Sequence, residues 1–347
     1  MKMKPLGRSG LTVSEFCLGS MTFGVQTPEK DAHAQIARAL DAGINFIDTA
    51  EMYPVNPVKP ETVGLTEEII GNWFASTGRR SDVILATKHS GEGQNFVREG
   101  APITSKTIRA TLEGSLKRLK TDYVDLYQFH WPNRGSYMFR KNWRYDPSGQ
   151  NRDDVVADME DCIGALQREV ERGTIRHFGM SNEDVWGTMT WNAIAERMGG
   201  PRIQTLQNEY SLLCRLADTD LAELCLNEDI GLLPFSPLGC GYLTGKYQGG
   251  KVPEGSRMTL SPEMGGRKGD RVLDAVDAYL GVARDFGLDP TQMALAWSAR
   301  RPFVASSIFG ATTLAQLDHI LGAADVELSS ELLEALDTAH KAHPMPY

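Results

Sequence analysis

Residues 123–130 read Tyr123-Val124-Asp125-Leu126-Tyr127-Gln128-Phe129-His130, a short, largely apolar run that ends on an imidazole. Two earlier runs also end on a chemically useful group. Ile44-Asn45-Phe46-Ile47 stops at Asp48, and Val83-Ile84-Leu85-Ala86 leads through Thr87 to Lys88. Runs of this length, rich in β-branched and aromatic residues, predict buried strands, and a segment of helical spacing separates each from the next. Strands that alternate with helices imply a parallel sheet. If that sheet closes into a barrel, the C-terminal strand ends all open onto one face, where such barrels carry their active sites. Asp48, Lys88 and His130 would then converge there, joined by Tyr53 from the segment that follows Asp48.

The alternation extends in both directions. Strands are predicted at 16–19, 45–48, 83–87, 123–129, 175–180, 203–207, 231–235 and 304–309. Helices are predicted at 29–41, 66–76, 105–119, 154–172, 182–197, 217–227, 270–286, 290–299 and 313–322, with a tail helix at 329–340. Met3 to Leu6 and Leu11 to Val13 flank the turn Gly7-Arg8-Ser9-Gly10, the pattern of a hairpin. The expected fold is α/β: a single parallel (β/α)8 TIM barrel over residues 1–347, with an N-terminal β-hairpin and a C-terminal extra helix. Eight units in a chain of this length suit a closed barrel better than an open doubly wound sheet.

Composition narrows the function. The chain has 347 residues, 41% of them hydrophobic, and a net charge of −9. That balance argues against a nucleic-acid partner, which favours a basic surface. No apolar run approaches the roughly 20 residues that a membrane span needs, and Met1 to Gly10 lacks the apolar core of a secretory signal. A cytoplasmic location is expected. The cysteines Cys17, Cys162, Cys214, Cys225 and Cys240 show no CxxC spacing, which suits free thiols. No metal-binding motif is present, and no metal is expected.

The residues at the strand ends suit carbonyl chemistry. A phenol with a pKa of about 10 is a weak acid at neutral pH, and a neighbouring ammonium lowers that value. Lys88 is placed to supply the charge, Asp48 to hold Lys88 protonated, and His130 to orient a carbonyl oxygen. Tyr53 would give a proton while a hydride arrives at carbon. Each residue alone also fits a structural role: a turn cap, a loop aromatic, a solvated strand end, a satisfied core imidazole. Their matched placement at strand ends favours the functional one.

Two long loops, 131–153 and 238–269, follow strands, and loops of that length are usually functional. The first carries Trp131, Tyr137, Phe139, Trp143 and Tyr145 among Arg134, Arg140, Lys141 and Arg144. It is expected to form a lid or wall for an apolar or aromatic substrate, its basic residues hinting at an aromatic or anionic carbonyl compound; a solvated loop with a few packed aromatics is the alternative.

Asp48-Thr49-Ala50-Glu51-Met52-Tyr53, Thr87-Lys88 and Asp125 to Pro132 together resemble the signature of the aldo-keto reductases. Gly173 to Asn182, Gln207 to Ser211, Phe235 to Gly239, Leu243 to Tyr247 and Gly310 to Thr313 match further family segments in order, so the resemblance covers nearly the whole chain. The Ala-Glu-Met-Tyr-Pro and Gly-Ala-Thr-Thr stretches look closest to the Tas-like bacterial branch. The resemblance implies reduction of a small-molecule aldehyde or ketone with NADPH, NADH being less expected. It implies catalytic roles for Asp48, Tyr53, Lys88 and His130. For the cofactor it implies Ser181, Asn182 and Gln207 at the carboxamide and Phe235 stacked on the nicotinamide. Ser236, Leu238 and Gly239, with Lys246 and Arg257, would hold the pyrophosphate. Gly310, Thr312 and Gln316 would lie along the adenosine phosphate, and Gly19, Ser20 and Met21 near the first strand. Trp131 and Phe23 are expected on the substrate side.

Some features depart from the family or compete with it. Phe235 stands where many relatives carry tyrosine, Gly310 and Gln316 stand where well-studied reductases carry cations, and Ile320 stands where other branches have asparagine. Tyr137–Lys141 and Tyr242–Lys246 match the YxxxK spacing of short-chain dehydrogenases, but the Gly-rich turn that such a fold needs is absent. Barrels of this family also serve as cofactor-sensing subunits with little turnover, and the sequence leaves that alternative, and the oligomeric state, open.

Overall fold

A computed structural model describes all 347 residues. β1 (Met3–Pro5) and β2 (Thr12–Ser14) form the antiparallel hairpin, with Lys4 opposite Val13. The other strands are β3 (Phe16–Gly19), β4 (Phe46–Asp48), β5 (Ile84–His89), β6 (Val124–Phe129), β7 (Ile175–Ser181), β8 (Ile203–Gln207), β9 (Gly231–Leu232) and β10 (Ser307–Phe309). They form one parallel sheet in the order β10-β3-β4-β5-β6-β7-β8-β9. A parallel bridge from Leu232 to Val304 joins the two ends of that order. Leu232 N donates to Phe303 O (3.0 Å), Ala305 N to Leu232 O (2.9 Å) and Ile308 N to Pro234 O (2.8 Å), so the sheet curls into a barrel.

The helices are α1 (Glu29–Asp41), α2 (Leu65–Thr77), α3 (Ser105–Leu119), α4 (Arg152–Glu171), α5 (Val185–Met198), α6 (Asp220–Glu228), α7 (Arg257–Leu260), α8 (Asp270–Asp285), α9 (Pro290–Ala299), α10 (Leu314–Leu321) and α11 (Ser330–Ala342). None is long and apolar enough to cross a membrane. The five cysteines are unpaired.

Side chains alternate along a strand, so one parity faces the barrel axis and the other the helices. Cys17, Phe46, Ala86, Leu126, Leu233 and Ile308 pack together with Leu6 and Val13 of the hairpin, which plugs the barrel at its N-terminal end. Phe16, Leu18, Ile47, Leu85 and Tyr127 belong to the larger core shared with the helices. Each fully buried large apolar side chain contributes roughly 1.5–3 kcal/mol. Two residues beyond Phe46, Ala86 and Leu126 on the same parity come Asp48, Lys88 and Gln128. The apolar plug thus gives way to polar groups at the other end of the same barrel.

Several boundaries differ from expectation for local reasons. The helix expected from 182 begins at Val185, because Asn182 takes a left-handed φ of 57° and Asp184 caps the helix through Gly187 N. The strand expected at 231–235 pairs regularly only over β9, since Pro234 has no N–H to donate. Phe235 still bridges Glu209 in parallel. The strand expected at 304–309 is regular only over β10, with Val304 set apart in the closing bridge. The loop 238–269 contains the short helix α7.

Candidate active site

Asp48, Lys88 and Tyr53 form a connected chain. Lys88 is fully buried, and its Nζ donates to Asp48 Oδ2 at 2.6 Å and to the Thr49 carbonyl at 2.8 Å. The same Nζ lies 3.4 Å from Tyr53 Oη and 4.8 Å from that ring's centroid. Asp48 Oδ1 accepts from Gln207 Nε2 (2.8 Å) and Gln128 Nε2 (3.2 Å), and Gln207 Nε2 is also 3.3 Å from Gln128 Oε1. Ser20 holds the backbone behind the acid, its N and Oγ both donating to Asp48 O. The Tyr53 carbonyl accepts from Gly64 N and Thr66 N, which ties the phenol-bearing segment to the start of α2.

His130 packs edge-on to Tyr53, with ring centroids 5.8 Å apart at 75°. Its backbone N donates to His89 O, and its carbonyl accepts from Asn182 Nδ2 at 2.9 Å. Its Nδ1 is buried without a partner. Trp131 lies beside it at 4.9 Å and is fixed by Nε1 donating to Glu92 O at 3.1 Å. Phe139 follows, 6.3 Å from Trp131.

Charge in the cleft follows from burial and neighbours. Burial disfavours the Lys88 ammonium, but Asp48 and Tyr53 outweigh it, and Lys88 titrates above the usual lysine range. Burial and then Lys88 push His130 well below the imidazole range, so its ring is neutral. For Tyr53, burial raises the pKa and Lys88 lowers it; burial prevails. The expected lowering of the phenol is therefore present as an influence but not as the net result.

The remaining sequence-selected residues divide by position. Ser181 and Gln207 are paired across β7 and β8, and Asn182 follows directly. Ser181 Oγ donates to Gln207 O at 2.6 Å and lies 3.0 Å from Asn182 Nδ2, while Asn182 Oδ1 is buried without a partner. Phe235, Ser236 and Leu238 are partly exposed past β9, and Ser236 has a left-handed φ of 53° beside Gly239 at 55°. Lys246 Nζ rests 5.2 Å from the Tyr247 ring centroid, and Arg257 Nη2 is 3.9 Å from Met21 Sδ; neither cation forms a salt bridge. Gly241 has a φ of 96°, and a Cβ there would come within 2.9 Å of Lys246 Nζ. Gly310 and Gln316 are exposed, and Gln316 Oε1 accepts from Thr312 N at 2.9 Å. An unpartnered amide oxygen, two unpaired cations and a glycine-lined turn fit a nicotinamide dinucleotide.

Two expectations shift. Phe23 is fully enclosed in the core and offers no surface to a substrate, whereas Trp131 is partly exposed. Gly19 sits against the neighbouring strand, where a Cβ would come within 2.9 Å of Ile308 and of Phe309 O, so close packing is reason enough for a glycine.

Three further sets of residues shape the site without having stood out in the sequence. Gln128 shares the parity of His130, which was a usable signal. Glu51 pairs with Arg98 and accepts from Ser90 N at 2.6 Å, behind the phenol-bearing turn. Glu209 receives Arg140, Arg267 and Tyr347, a gathering no local pattern foretells.

Comparison with known proteins agrees with this fold. The model of the aldo/keto reductase family matches residues 15–341. Protein tas of Escherichia coli (strain K12) is 44% identical over 100% of this chain and 99% of its own length. An uncharacterized oxidoreductase, YrpG, of Bacillus subtilis (strain 168) is 33% identical over 97% of this chain and 95% of its own. A probable voltage-gated potassium channel subunit beta of Oryza sativa subsp. japonica is 33% identical over 99% of this chain and 98% of its own.

Proposed function

The chain belongs to the aldo/keto reductase family, on a Tas-like bacterial branch, and from that premise we propose that it reduces an aldehyde or ketone to an alcohol with NADPH, Tyr53 serving as general acid. The observation that carries this is the buried Asp48–Lys88 pair reaching the Tyr53 hydroxyl beside a neutral His130. The nicotinamide, when bound, supplies a hydride to the carbonyl carbon.

Tyr53 Oη hands its proton to the carbonyl oxygen as charge develops there. Its raised pKa keeps the phenol protonated through neutral pH, so the acid is present in its working form. Lys88, held protonated by Asp48, stabilises the phenolate that remains. Neutral His130 orients the carbonyl by donating a hydrogen bond and is not the proton source. Gln128 and Gln207 hold Asp48, and so the direction of the ion pair.

Ser181, Asn182 and Gln207 would hold the carboxamide, and Phe235 the nicotinamide face. Backbone groups of Ser236, Leu238 and Gly239, with Lys246 and Arg257, would hold the pyrophosphate. Met21 lies beside Arg257, and Gly310, Thr312 and Gln316 would line the adenosine end. Gly19 and Ser20 would support that surface from behind.

The test is fluorescence titration with NADPH and NADH, followed by steady-state turnover on a carbonyl panel. Tighter binding of NADPH and turnover well above about one per minute support the enzyme, since typical values are about 1–1,000 per second. A second reading, a cofactor-binding subunit with little turnover, draws on the relatives described as potassium channel beta subunits. Tight NADPH binding with no turnover on any carbonyl would favour it.

A further inference from the structure

An aromatic wall runs outward from the candidate acid. Tyr53 meets His130 edge-on, His130 lies along Trp131, and Trp131 meets Phe139, a residue 39% exposed. The arginines near this wall would ordinarily suggest a carboxylate-bearing substrate, because a guanidinium binds a carboxylate through two parallel hydrogen bonds. In this protein each already pairs with a carboxylate, although Arg98 Nε and Arg140 Nε are buried without a partner of their own. Arg140 Nη1 donates to Glu209 Oε2 at 2.6 Å, while Glu209 Oε1 accepts from Arg267 Nε (2.7 Å) and Tyr347 Oη (2.8 Å). Burial opposes ionisation of Glu209, but Arg267 and Arg140 outweigh it and hold its carboxyl below the usual range, so the clamp is charged at neutral pH. Arg134, its side chain only 4% exposed, donates to Glu183 Oε2 and Asp184 Oδ1, each at 2.9 Å. Arg98 is held by Glu51.

An entering carboxylate would therefore lose hydration in an aromatic cleft without gaining a free guanidinium, and buried carboxylates would stand behind each arginine it approached. Lys141 and Arg144 are exposed to solvent, where their attraction is screened. Arg257 is the one unpaired arginine near Tyr53, and on the reading above it faces the phosphates of the cofactor.

We propose that the site takes a neutral, flat aromatic carbonyl compound and discriminates against carboxylate-bearing ones. This rests on the reductase reading and goes beyond it in naming the substrate class.

The test compares para-nitrobenzaldehyde with para-carboxybenzaldehyde at saturating NADPH, so that Arg257 is engaged. The expected result is a kcat/KM at least about tenfold higher for the nitro compound, carried mainly by KM. Equal or better use of the carboxylated compound overturns the inference. Two variants probe the cause. Glu209→Gln loosens Arg140 and is expected to lower KM for the carboxylated aldehyde while leaving that for the nitro compound in place. Where that variant fails to fold, Arg140→Met serves: a selective rise in KM for the carboxylated aldehyde would identify Arg140 as its binding group and overturn the inference. Quenching of tryptophan fluorescence by each aldehyde, on the NADPH-loaded protein, separates the two levels. Absence of turnover with both compounds defeats the reductase reading alone, whereas tighter binding of the carboxylated compound defeats the selectivity.

Discussion

Replacing Tyr53 with phenylalanine removes one oxygen and leaves the ring that packs against His130. The ground-state loss is small. Lys88 keeps its shorter contacts, 2.6 Å to Asp48 and 2.8 Å to the Thr49 carbonyl, and gives up only the 3.4 Å approach to Tyr53 Oη. One hydrogen bond contributes about 0.5–1.5 kcal/mol to stability, and a long one falls at the lower end. The transition state loses far more. A positioned acid accelerates reaction by about 100-fold to 10,000-fold, equivalent to about 2.7–5.4 kcal/mol of barrier. Turnover in Tyr53→Phe should fall at least about 100-fold, with NADPH affinity and unfolding free energy nearly unchanged. Loss of nicotinamide absorbance reports turnover, fluorescence titration reports affinity, and urea unfolding reports stability. A folded variant that retains turnover within about threefold of the parent, about 0.65 kcal/mol of barrier, removes Tyr53 from the mechanism. A loss of several kcal/mol of stability would instead refute the weak ground-state contact.

Lys88→Met leaves Asp48 buried without its ammonium. Removing one partner of a buried pair costs about 3–5 kcal/mol, and the amides of Gln128 and Gln207 should keep the cost near the lower end; an unchanged urea midpoint would contradict this. His89 is buried and close to Arg98, which holds its pKa at about 3 against 6.5 in the unfolded chain. Between those values the unfolded chain binds the extra proton, so stability should decline as pH falls from 6.5 toward 3, and His89→Gln should flatten that slope. Parallel pH–stability curves for parent and variant would refute it. A Cβ at Gly91 would come within 2.3 Å of Trp131 Nε1, so Gly91→Ala should displace the indole. It should raise KM for bulky aromatic carbonyls without changing NADPH affinity, and an unchanged KM would show that Trp131 does not line the substrate site.

The strand ends were legible before any coordinates because parity is a local property. Asp48, Lys88 and His130 close apolar runs, and the alternation that buries Phe46, Ala86 and Leu126 in the plug puts Asp48, Lys88 and Gln128 on the same side two residues later. Helix starts were less legible. The one expected at 182 moved to Val185 because a single left-handed residue decides it, and side-chain spacing does not report φ.

By itself the sequence determined the alternation of strands and helices, the hairpin, and the identity of the groups at the C-terminal strand ends, since all of these follow from spacing within a few residues. Only the tertiary structure decided which groups touch. It set two amides on Asp48, enclosed Phe23, let burial outweigh Lys88 at the Tyr53 phenol, and brought Arg140, Arg267 and Tyr347 to Glu209. Those contacts join residues far apart in the chain. Their partners, burial and charge depend on how the barrel closes and how its loops fold back over it.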